Sequence, residues 1–340
     1  MTHTIARRAL LATAATAALV APLFGAGPAA AQDGTTADIT PGIVYAVGEK
    51  FDGSFNEGAF NALEAFEAET GIGYLEYQPT NPTEFEQGVE RLIRRGADTI
   101  IVVGFYYAQP LSEIAPRHPD VRFTMIDAVA EADNVQSVLF REQEGSFLTG
   151  MLAAMASETG TIGFVGAIDI PLIRKFIVGF EEGARYVDPD IGYIVNFVGT
   201  TPAAFNDPTT ANELTVSQIE RGADVVFAGA GNSNRGIFQA AVDNGVHAIG
   251  VDSNQNGEAP GTILTSMLKR VDVAALAALN AARDGTWQPG VLSLGLAEGG
   301  VGYALDDNNW PLMTPEMIVA VENAMIDIVN GTITVTDATQ

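Results

Sequence analysis

The sequence predicts an α/β protein with two similar lobes, each built on a doubly wound parallel β-sheet. Short apolar runs alternate with segments of helical spacing along the chain, which is the pattern of consecutive β-α-β units. In addition, a helix end, a tight turn and a buried strand occur twice, as RRGADTIIVVG from residue 94 and as ERGADVVFAG from residue 220. The repeat indicates that the two halves of the chain have related folds.

The first half of the chain shows the elements in order. Four apolar runs are predicted to be strands: 42–48, 72–78, 98–105 and 121–129. Apolar residues recur with helical spacing from Phe55 onward, and Ser54 with Glu57 three residues later forms a capping-box pattern before this helix. A second helix is predicted to start at Asn81 and to end at Gly96, where a left-handed residue is favoured. Strands that are apolar throughout indicate burial on both faces, and therefore a parallel sheet with right-handed crossovers.

The second half repeats landmarks of the first half in the same order, with offsets between 119 and 126 residues. The pairs are Phe55 with Phe176, Ile72 with Ile191, Arg95 with Arg221, and Asp127 with Asp252. Parallel sheets bind ligands beyond the carboxyl ends of their strands. Facing lobes would therefore place Phe55 and Phe176 at the N-terminus of the first helix of each lobe, on opposite sides of one cleft. Asp127 and Asp252 would lie beside them.

A site of this kind suits a flat aromatic ligand that carries hydroxyl groups. Two facing rings can stack on such a ligand, and carboxylates can accept hydrogen bonds from its hydroxyls. Each residue taken alone has an ordinary structural explanation. A Phe at helical spacing is usually a core residue, and an Asp after a strand is often a turn former. The symmetric pairing of the four residues favours the binding site.

Residues 1–31 are predicted to be a secretory signal peptide that is removed before Gln32. They contain a basic start at Arg7 and Arg8, an apolar stretch, and small residues at 29–31. A membrane anchor is the alternative, but the apolar stretch is rich in alanine and lacks about 20 strongly apolar residues in a row. Export by the general or the twin-arginine route stays open. The sequence has no cysteine, and hence no acceptor for a lipid, so we expect a periplasmic protein that is not lipidated.

The charge of the chain excludes several classes of partner. The segment 1–31 holds two of the 17 basic residues and none of the 42 acidic ones, which leaves a net charge of −27 on the remainder. A field of this sign repels nucleic acid and anionic lipid. Catalysis is not expected either, because Asn234 stands where a dinucleotide fingerprint beginning at Gly229 needs its third glycine. The sequence has three histidines and no cysteine, and it contains no His/Cys cluster that would suggest a metal site. We therefore expect no enzyme activity, no cofactor and no metal.

Several stretches resemble the basic membrane protein family, whose members are substrate-binding proteins of ABC transporters. The resemblance extends over essentially all of the chain after the signal peptide. It is carried by three stretches in particular: DGSFNEGAFNALEAF at 52–66, EGSF at 144–147 and TSMLK at 265–269. It implies a type I periplasmic-binding fold, in which the chain crosses three times between the lobes. The implied N-terminal lobe is 41–140 plus 265–288, and the implied C-terminal lobe is 141–264 plus 289–334.

The better known members of this family bind purine nucleosides and pass them to an ABC permease in the inner membrane. The resemblance implies that Phe55 and Phe176 sandwich the base and that Asp252 and Lys269 serve the ribose. It also implies that Asp127 and Asn56 complete the polar lining of the site. Gly231 would let the backbone approach the ligand. We expect a monomer. The alternative is a periplasmic receptor for a sugar or another small aromatic ligand, because sugar receptors also use aromatic rings and carboxylates.

The chain departs from the family pattern at two places that bear on which base is bound. Nucleoside-binding relatives often carry an aspartate after the first strand, where this chain has Ala46. The glycine-rich loop of the family is replaced by Asn232 and the three residues after it. Phe105, Tyr106 and Tyr107 are candidates for shaping the base pocket in place of the missing aspartate.

Overall fold

The computed structural model describes residues 38–339, so the predicted signal peptide lies outside the described residues. In this range the strands are β1 (Pro41–Val44), β2 (Leu75–Tyr77), β3 (Thr99–Val103), β4 (Arg122–Ile126), β5 (Val135–Phe140), β6 (Thr161–Gly166), β7 (Gly192–Phe197), β8 (Val225–Gly229), β9 (His247–Asp252), β10 (Ile263–Lys269), β11 (Gly290–Leu294) and β12 (Val301–Tyr303). The helices are α1 (Phe55–Thr70), α2 (Phe85–Arg94), α3 (Ala108–Ile114), α4 (Glu142–Ala156), α5 (Pro171–Val187), α6 (Pro208–Glu220), α7 (Asn234–Asn244), α8 (Val271–Arg283) and α9 (Pro315–Val329).

The strands form two sheets with matching strand order. The first sheet runs β2-β1-β3-β4-β5-β11, and the second runs β7-β6-β8-β9-β10-β12. Every neighbouring pair is parallel except β10 and β12, which are antiparallel. The α/β fold class and the parallel sheets predicted from the sequence are therefore confirmed.

The central strands of both sheets are buried on both faces. All five residues of β3 and all five residues of β8 are buried, as their apolar sequences predict. The helices cover these faces: α1 packs against α8 on the first sheet, and α4 packs against α5 on the second. Strand β5, which the sequence reading did not identify, extends the first sheet beyond β4.

The chain passes between the two sheets three times. It moves from β5 to β6 through α4, from β10 to β11 through α8, and from β11 directly to β12. The expected boundary between residues 264 and 265 falls inside β10, and the expected boundary between 288 and 289 falls just before β11. Strand pairing therefore locates the second and third passages after Lys269 and after Leu294. Thr265 and Ser266 interrupt the apolar residues of β10 at the expected boundary, but both are buried within the strand.

Within residues 38–339, no helix combines the length and the apolar character that crossing a bilayer requires.

Candidate functional site

A cavity lies between the carboxyl ends of the two sheets. Residues that follow β1, β3 and β4 line it from the first sheet, and residues at the ends of β8, β9 and β10 line it from the second. This is the edge at which parallel α/β sheets bind ligands. All seven residues singled out from the sequence line this cavity: Phe55, Asn56, Asp127, Phe176, Gly231, Asp252 and Lys269.

The two phenylalanine rings reach the cavity from different places in their helices. Phe55 is the first residue of α1, as predicted. Phe176 is the sixth residue of α5 and not in its first turn, because the helix already starts at Pro171, a residue that suits the first helical position. The expected placement of Phe176 at a helix N-terminus is therefore wrong. The earlier start also brings Leu172 and Ile173 to the cavity wall.

Both rings lie close to the ammonium group of Lys269. Its Nζ is 5.1 Å from the ring centroid of Phe55 and 5.7 Å from that of Phe176, distances that allow cation–π attraction. Phe176 is only 4 % exposed and meets the ring of Phe227 edge-on at 6.4 Å. The ring of Phe176 is thus supported by the core of the second sheet.

The two strand-end aspartates share an unusual backbone conformation. Asp127 has φ 77° and Asp252 has φ 64°, and among the described residues they are the ones other than glycine with positive φ. A left-handed conformation costs about 1–3 kcal/mol in a residue other than glycine, although Asp and Asn tolerate it better than most. The conformation ends each strand abruptly and leaves the side chain at the cavity wall.

Lys269 joins Asp127 to a buried network of charges. Its Nζ lies 2.6 Å from Oδ2 of Asp127 and 3.0 Å from Oε1 of Glu142. The other carboxylate oxygen of Glu142 lies 2.5 Å from Nζ of Lys175, and Lys175 also donates to the carbonyl of Phe140. Glu142, which is fully buried, thus connects the two lysines.

Burial and charge act in opposite directions on these groups. Burial raises the pKa of Asp127 to about 6, even though the Lys269 ammonium favours its ionised form. Burial lowers the pKa of Lys269, but the carboxylates of Asp127, Glu142 and Asp252 outweigh it and hold that pKa above its usual value. Lys269 is therefore a cation at the cavity wall, and the pKa of Asp127 lies above its ordinary value because of burial.

Asp252 has a neutral partner from the opposite sheet. The hydroxyl of Ser54 donates a hydrogen bond of 2.6 Å to Oδ2 of Asp252. Burial raises the pKa of Asp252, while the charge of Lys269 and the hydrogen bond from Ser54 act against this. Asp252 is therefore held in place by a hydroxyl rather than by a direct ion pair.

The N-terminus of α1 is capped differently from the prediction. Ser54 makes no side-chain capping bond, and Glu57 accepts from the backbone N–H of Gly53 at 2.9 Å rather than from that of Ser54, which a capping box would use. The carboxylate of Asp52 instead accepts from the backbone N–H groups of Ser54, Asn56 and Glu57. Because Asp52 caps the helix, the hydroxyl of Ser54 is available to Asp252. Burial raises the pKa of Asp52 to about 6 despite these three bonds.

Asn56 is a structural support rather than a free polar group of the wall. Its Oδ1 accepts from the backbone N–H of Ala46 at 3.0 Å, and its Nδ2 donates to the carbonyls of Ala46 and Glu49, each at 3.1 Å. These bonds fix the loop after β1, which lines the cavity. Its side-chain amide is therefore already engaged within the protein.

Gly231 allows the turn after β8 to pass close to Phe205. Its φ is 61°, and a Cβ at this position would lie 3.3 Å from the Phe205 ring. Phe205 lines the cavity but carries no sequence signal that distinguishes it from a core residue. Of the three aromatic residues after β3, Phe105 and Tyr106 also line the cavity.

Tyr107 does not belong to the cavity wall. It is fully buried, and its ring stacks on that of Phe85 at a centroid distance of 4.2 Å. Sequence reasoning suggested Tyr107 for the pocket and missed Asp52, Glu142 and Lys175. Glu142 precedes EGSF by only two residues, so the acidic start of α4 was the available signal for it.

The amino-acid sequence matches a family of transport proteins. Residues 39–338 match the family Bmp, described as ABC transporter substrate-binding protein PnrA-like. The chain belongs to this family. Its members are substrate-binding proteins rather than enzymes, and they act as extracytoplasmic solute receptors that work with a permease. The resemblance read from the sequence is confirmed.

Individual relatives support this assignment. A lipoprotein of Pyrococcus abyssi is 35% identical over 77% of this chain and 68% of its own length. Basic membrane protein A of Borreliella burgdorferi is 30% identical, with 84% of each chain covered. A solved structure of a solute-binding protein of an ABC transporter system from Aeropyrum pernix K1 has a TM-score of 0.79 at 29% identity and covers 87% of this chain and 92% of its own. The relative from P. abyssi is called a lipoprotein, whereas the present sequence has no cysteine.

Proposed function

We propose that this substrate-binding protein captures a purine nucleoside, or a related base, in the cavity between its two sheets. The observation that carries the proposal is that Phe55, Phe176, Asp127 and Asp252 all line one cavity, in which the first three lie around Lys269. Rings suit the flat base, and charged groups suit the hydroxyls of the ribose. Both kinds of group are required for a nucleoside.

The base would bind between the rings of Phe55 and Phe176. Stacking of a base on an aromatic side chain contributes about 1–3 kcal/mol. Phe176 is supported from behind by Phe227, so little conformational entropy is lost when a ligand stacks on its ring. The cavity is walled mainly by apolar groups between its few charges, which favours an aromatic ligand over a fully hydroxylated one.

The ribose would bind at the charged end of the cavity. Oδ1 of Asp127 is buried and has no hydrogen-bond partner among residues 38–339, while Oδ2 is engaged by Lys269. A ligand hydroxyl that donates to this oxygen would satisfy it, with a gain of about 1.5–3 kcal/mol for a bond to a charged group. Asp252 would accept from a second hydroxyl, and Lys269 would donate to a ribose oxygen.

Hydrogen bonds between the two sides of the cavity support the proposal of a closed form. Ser54 bonds to Asp252, the hydroxyl of Ser253 donates to the carbonyl of Ser54 at 2.9 Å, and Nε2 of Gln255 donates to the carbonyl of Gly53 at 3.1 Å. We propose two lobes that close on the ligand by hinge motion. The hinges would lie in the three passages between the sheets, near 140–144, 269–271 and 294–301.

The closed form would dock on an ABC permease in the inner membrane, and no chemical step would occur in the binding protein. We further propose that residues 1–31 direct export to the periplasm, where the protein works as an unlipidated monomer. Mass spectrometry of the protein isolated from its own cells tests the cleavage and the absence of a lipid. The expected mass is that of a chain that starts at Gln32 without an attached lipid.

A thermal-shift panel on the chain from Gln32 to Gln340 tests the choice of ligand. Purine nucleosides, free purine bases and pentoses are added at equal concentrations. A ligand at a thousandfold excess over its Kd stabilises by about 4 kcal/mol, so nucleosides should raise the melting temperature most. If pentoses alone raise it, the protein is a sugar receptor. If no purine compound has an effect, the proposed function is wrong.

A further inference from the structure

The turn after β8 contributes a polar group to the cavity that the proposed contacts do not use. Asn232 lies in this turn, at Gly231–Ser233, and lines the cavity. Its Nδ2 donates a hydrogen bond of 2.6 Å to Oδ1 of Asn206. Its own Oδ1 is buried and has no hydrogen-bond partner among residues 38–339. A buried acceptor without a donor is costly, so this oxygen is suited to a donor that arrives with the ligand.

The equivalent turn of the first sheet is chemically different. After β3, the turn Phe105–Tyr107 brings Phe105 and Tyr106 to the cavity. The hydroxyl of Tyr106 already accepts from the backbone N–H of Val47. Ala46, also on this side, offers no polar side chain. Of these two equivalent turns, the one with Asn232 therefore supplies the free hydrogen-bond acceptor.

The strand order separates Asn232 from the charged end of the cavity. In the second sheet, β8 neighbours β9, and β9 neighbours β10. Neighbouring strands lie about 4.8 Å apart, so the end of β8 is about 10 Å from the end of β10. Lys269 ends β10 and Asp252 ends β9. A ligand whose hydroxyls bind at Asp252 and Lys269 would thus present the far edge of its ring system to Asn232.

We propose that Oδ1 of Asn232 accepts a hydrogen bond from an N–H group on the far edge of the base and selects ligands that carry this donor. The proposal rests on the proposed nucleoside function and specifies its ligand class. Purines with an exocyclic amine or a protonated ring nitrogen at this edge are selected. A purine ring without an N–H group there leaves the acceptor unpaired and is rejected.

Three nucleosides with the same ribose test this selection in the unmodified protein. Adenosine carries an exocyclic amine, inosine carries a protonated ring nitrogen, and unsubstituted purine riboside carries neither. Their Kd values are measured by isothermal titration calorimetry. At least one of the first two should bind roughly 5- to 100-fold more tightly than purine riboside, the range that corresponds to leaving one buried acceptor unpaired. This comparison requires no variant and hence no assumption about folding.

Variants separate recognition from support of the turn. Asn232→Ala should reduce the preference over purine riboside to about onefold, whereas Asn232→Asp, which keeps an acceptor oxygen, should retain it. Asn206→Ala is the matched control, because it removes the partner of Nδ2 but leaves Oδ1 of Asn232 in place; its preference should remain unchanged. Melting temperatures of the unliganded variants show that each one folds.

The possible outcomes also distinguish this inference from the function on which it rests. If the unmodified protein binds purine riboside as tightly as adenosine and inosine, Asn232 does not select the ligand, but the nucleoside function stands. If Asn232→Ala weakens all three ligands equally, its role is structural and the inference is wrong. If none of the three nucleosides binds, the proposed function and the inference both fail.

Discussion

Asp127 and Asp252 end equivalent strands of the two sheets, and each binds a partner from the opposite sheet. Both have positive φ and both line the cavity. The partner of Asp127 is the ammonium group of Lys269, whereas the partner of Asp252 is the hydroxyl of Ser54. The two halves of the molecule therefore share a backbone geometry at the site but differ in the chemistry that holds each carboxylate.

This difference assigns the two carboxylates different energetic roles. Asp127 belongs to a buried network with Lys269, Glu142 and Lys175, in which every charge depends on its neighbours. Removing one partner from such a network leaves a buried charge unpaired, which is far more costly than losing the pair as a whole. Asp252 depends on one neutral hydrogen bond, which can be replaced by a ligand hydroxyl at little cost.

The largest effect that distinguishes the two sides is expected from Lys269→Met. This change leaves Asp127 and Glu142 buried near each other without Lys269 and should lower the free energy of unfolding by about 3–5 kcal/mol. Urea denaturation measures it. Arg270→Met is the matched control, because Arg270 pairs with Asp272 at the surface and should lose less than about 1 kcal/mol. Equal losses of unfolding free energy in the two variants would show that the buried network contributes no more to stability than the surface ion pair.

The helix starts also differ, since α1 is capped by the buried carboxylate of Asp52 whereas α5 begins with Pro171. Burial raises the pKa of Asp52 from its ordinary value of 3.8 to about 6. The folded state thus binds this proton more tightly than the unfolded state does, so the contribution to stability is present below about pH 4. As the pH rises through about 6, this contribution of Asp52 to the free energy of unfolding, about 3 kcal/mol, is lost.

Urea denaturation from pH 4 to pH 7 tests this by comparison with Asp52→Asn. The unmodified protein should lose more stability over this interval than the variant, in which position 52 cannot titrate. An identical pH dependence in the two proteins would contradict the raised pKa. The titration of Asp127 is common to both proteins and cancels in the difference.

The two aspartates can also be compared through the ligand. Asp252→Asn keeps the size of the side chain and tolerates the left-handed backbone, but it removes the charge. Nucleoside affinity should fall roughly 10- to 100-fold, the range for a hydrogen bond to a charged group. The affinity for the free base, which has no ribose, should change little. Calorimetry with both ligands measures the contrast, and an equal loss for both would argue against a ribose contact.

The last comparison is between the two rings. Phe55→Leu and Phe176→Leu keep apolar volume and remove the flat stacking surface, so each should cost about 1–3 kcal/mol of affinity for every purine ligand. Phe176→Leu should also lower the melting temperature more than Phe55→Leu, because Phe176 is buried and contacts Phe227. If neither change alters any Kd, the base does not bind between the rings.

Much of the fold could be predicted because it depends on local patterns. The apolar runs of β3 and β8, the helical spacing after Phe55, and the glycine turns before each buried strand follow from burial and backbone sterics alone. The internal repeat then indicated that Asp127 and Asp252 hold equivalent positions. Both indeed have the same left-handed conformation at a strand end.

Other features depended on contacts between distant parts of the chain. The passage from the second sheet back to the first follows β10 because Ile263–Lys269 pairs with β9, and its sequence alone does not specify that partner. The capping of α1 was assigned to Ser54, but Asp52 occupies that role. The neighbouring sequence does not distinguish the two residues. The hydroxyl of Ser54 donates to Asp252 instead, which lies 198 residues away in the chain.

The sequence by itself thus determined most of the secondary structure, the two related sheets, the family and many of the residues that line the cavity. The tertiary structure decided how those residues are connected: Lys269 to Asp127, Ser54 to Asp252, and Asn56 to the loop at Ala46. The physical reason is the separation along the chain between the residues that interact. Periodicity and turn preference act between residues a few positions apart, whereas a buried charge or hydroxyl binds the partner that folding brings within about 3 Å, wherever it lies in the chain.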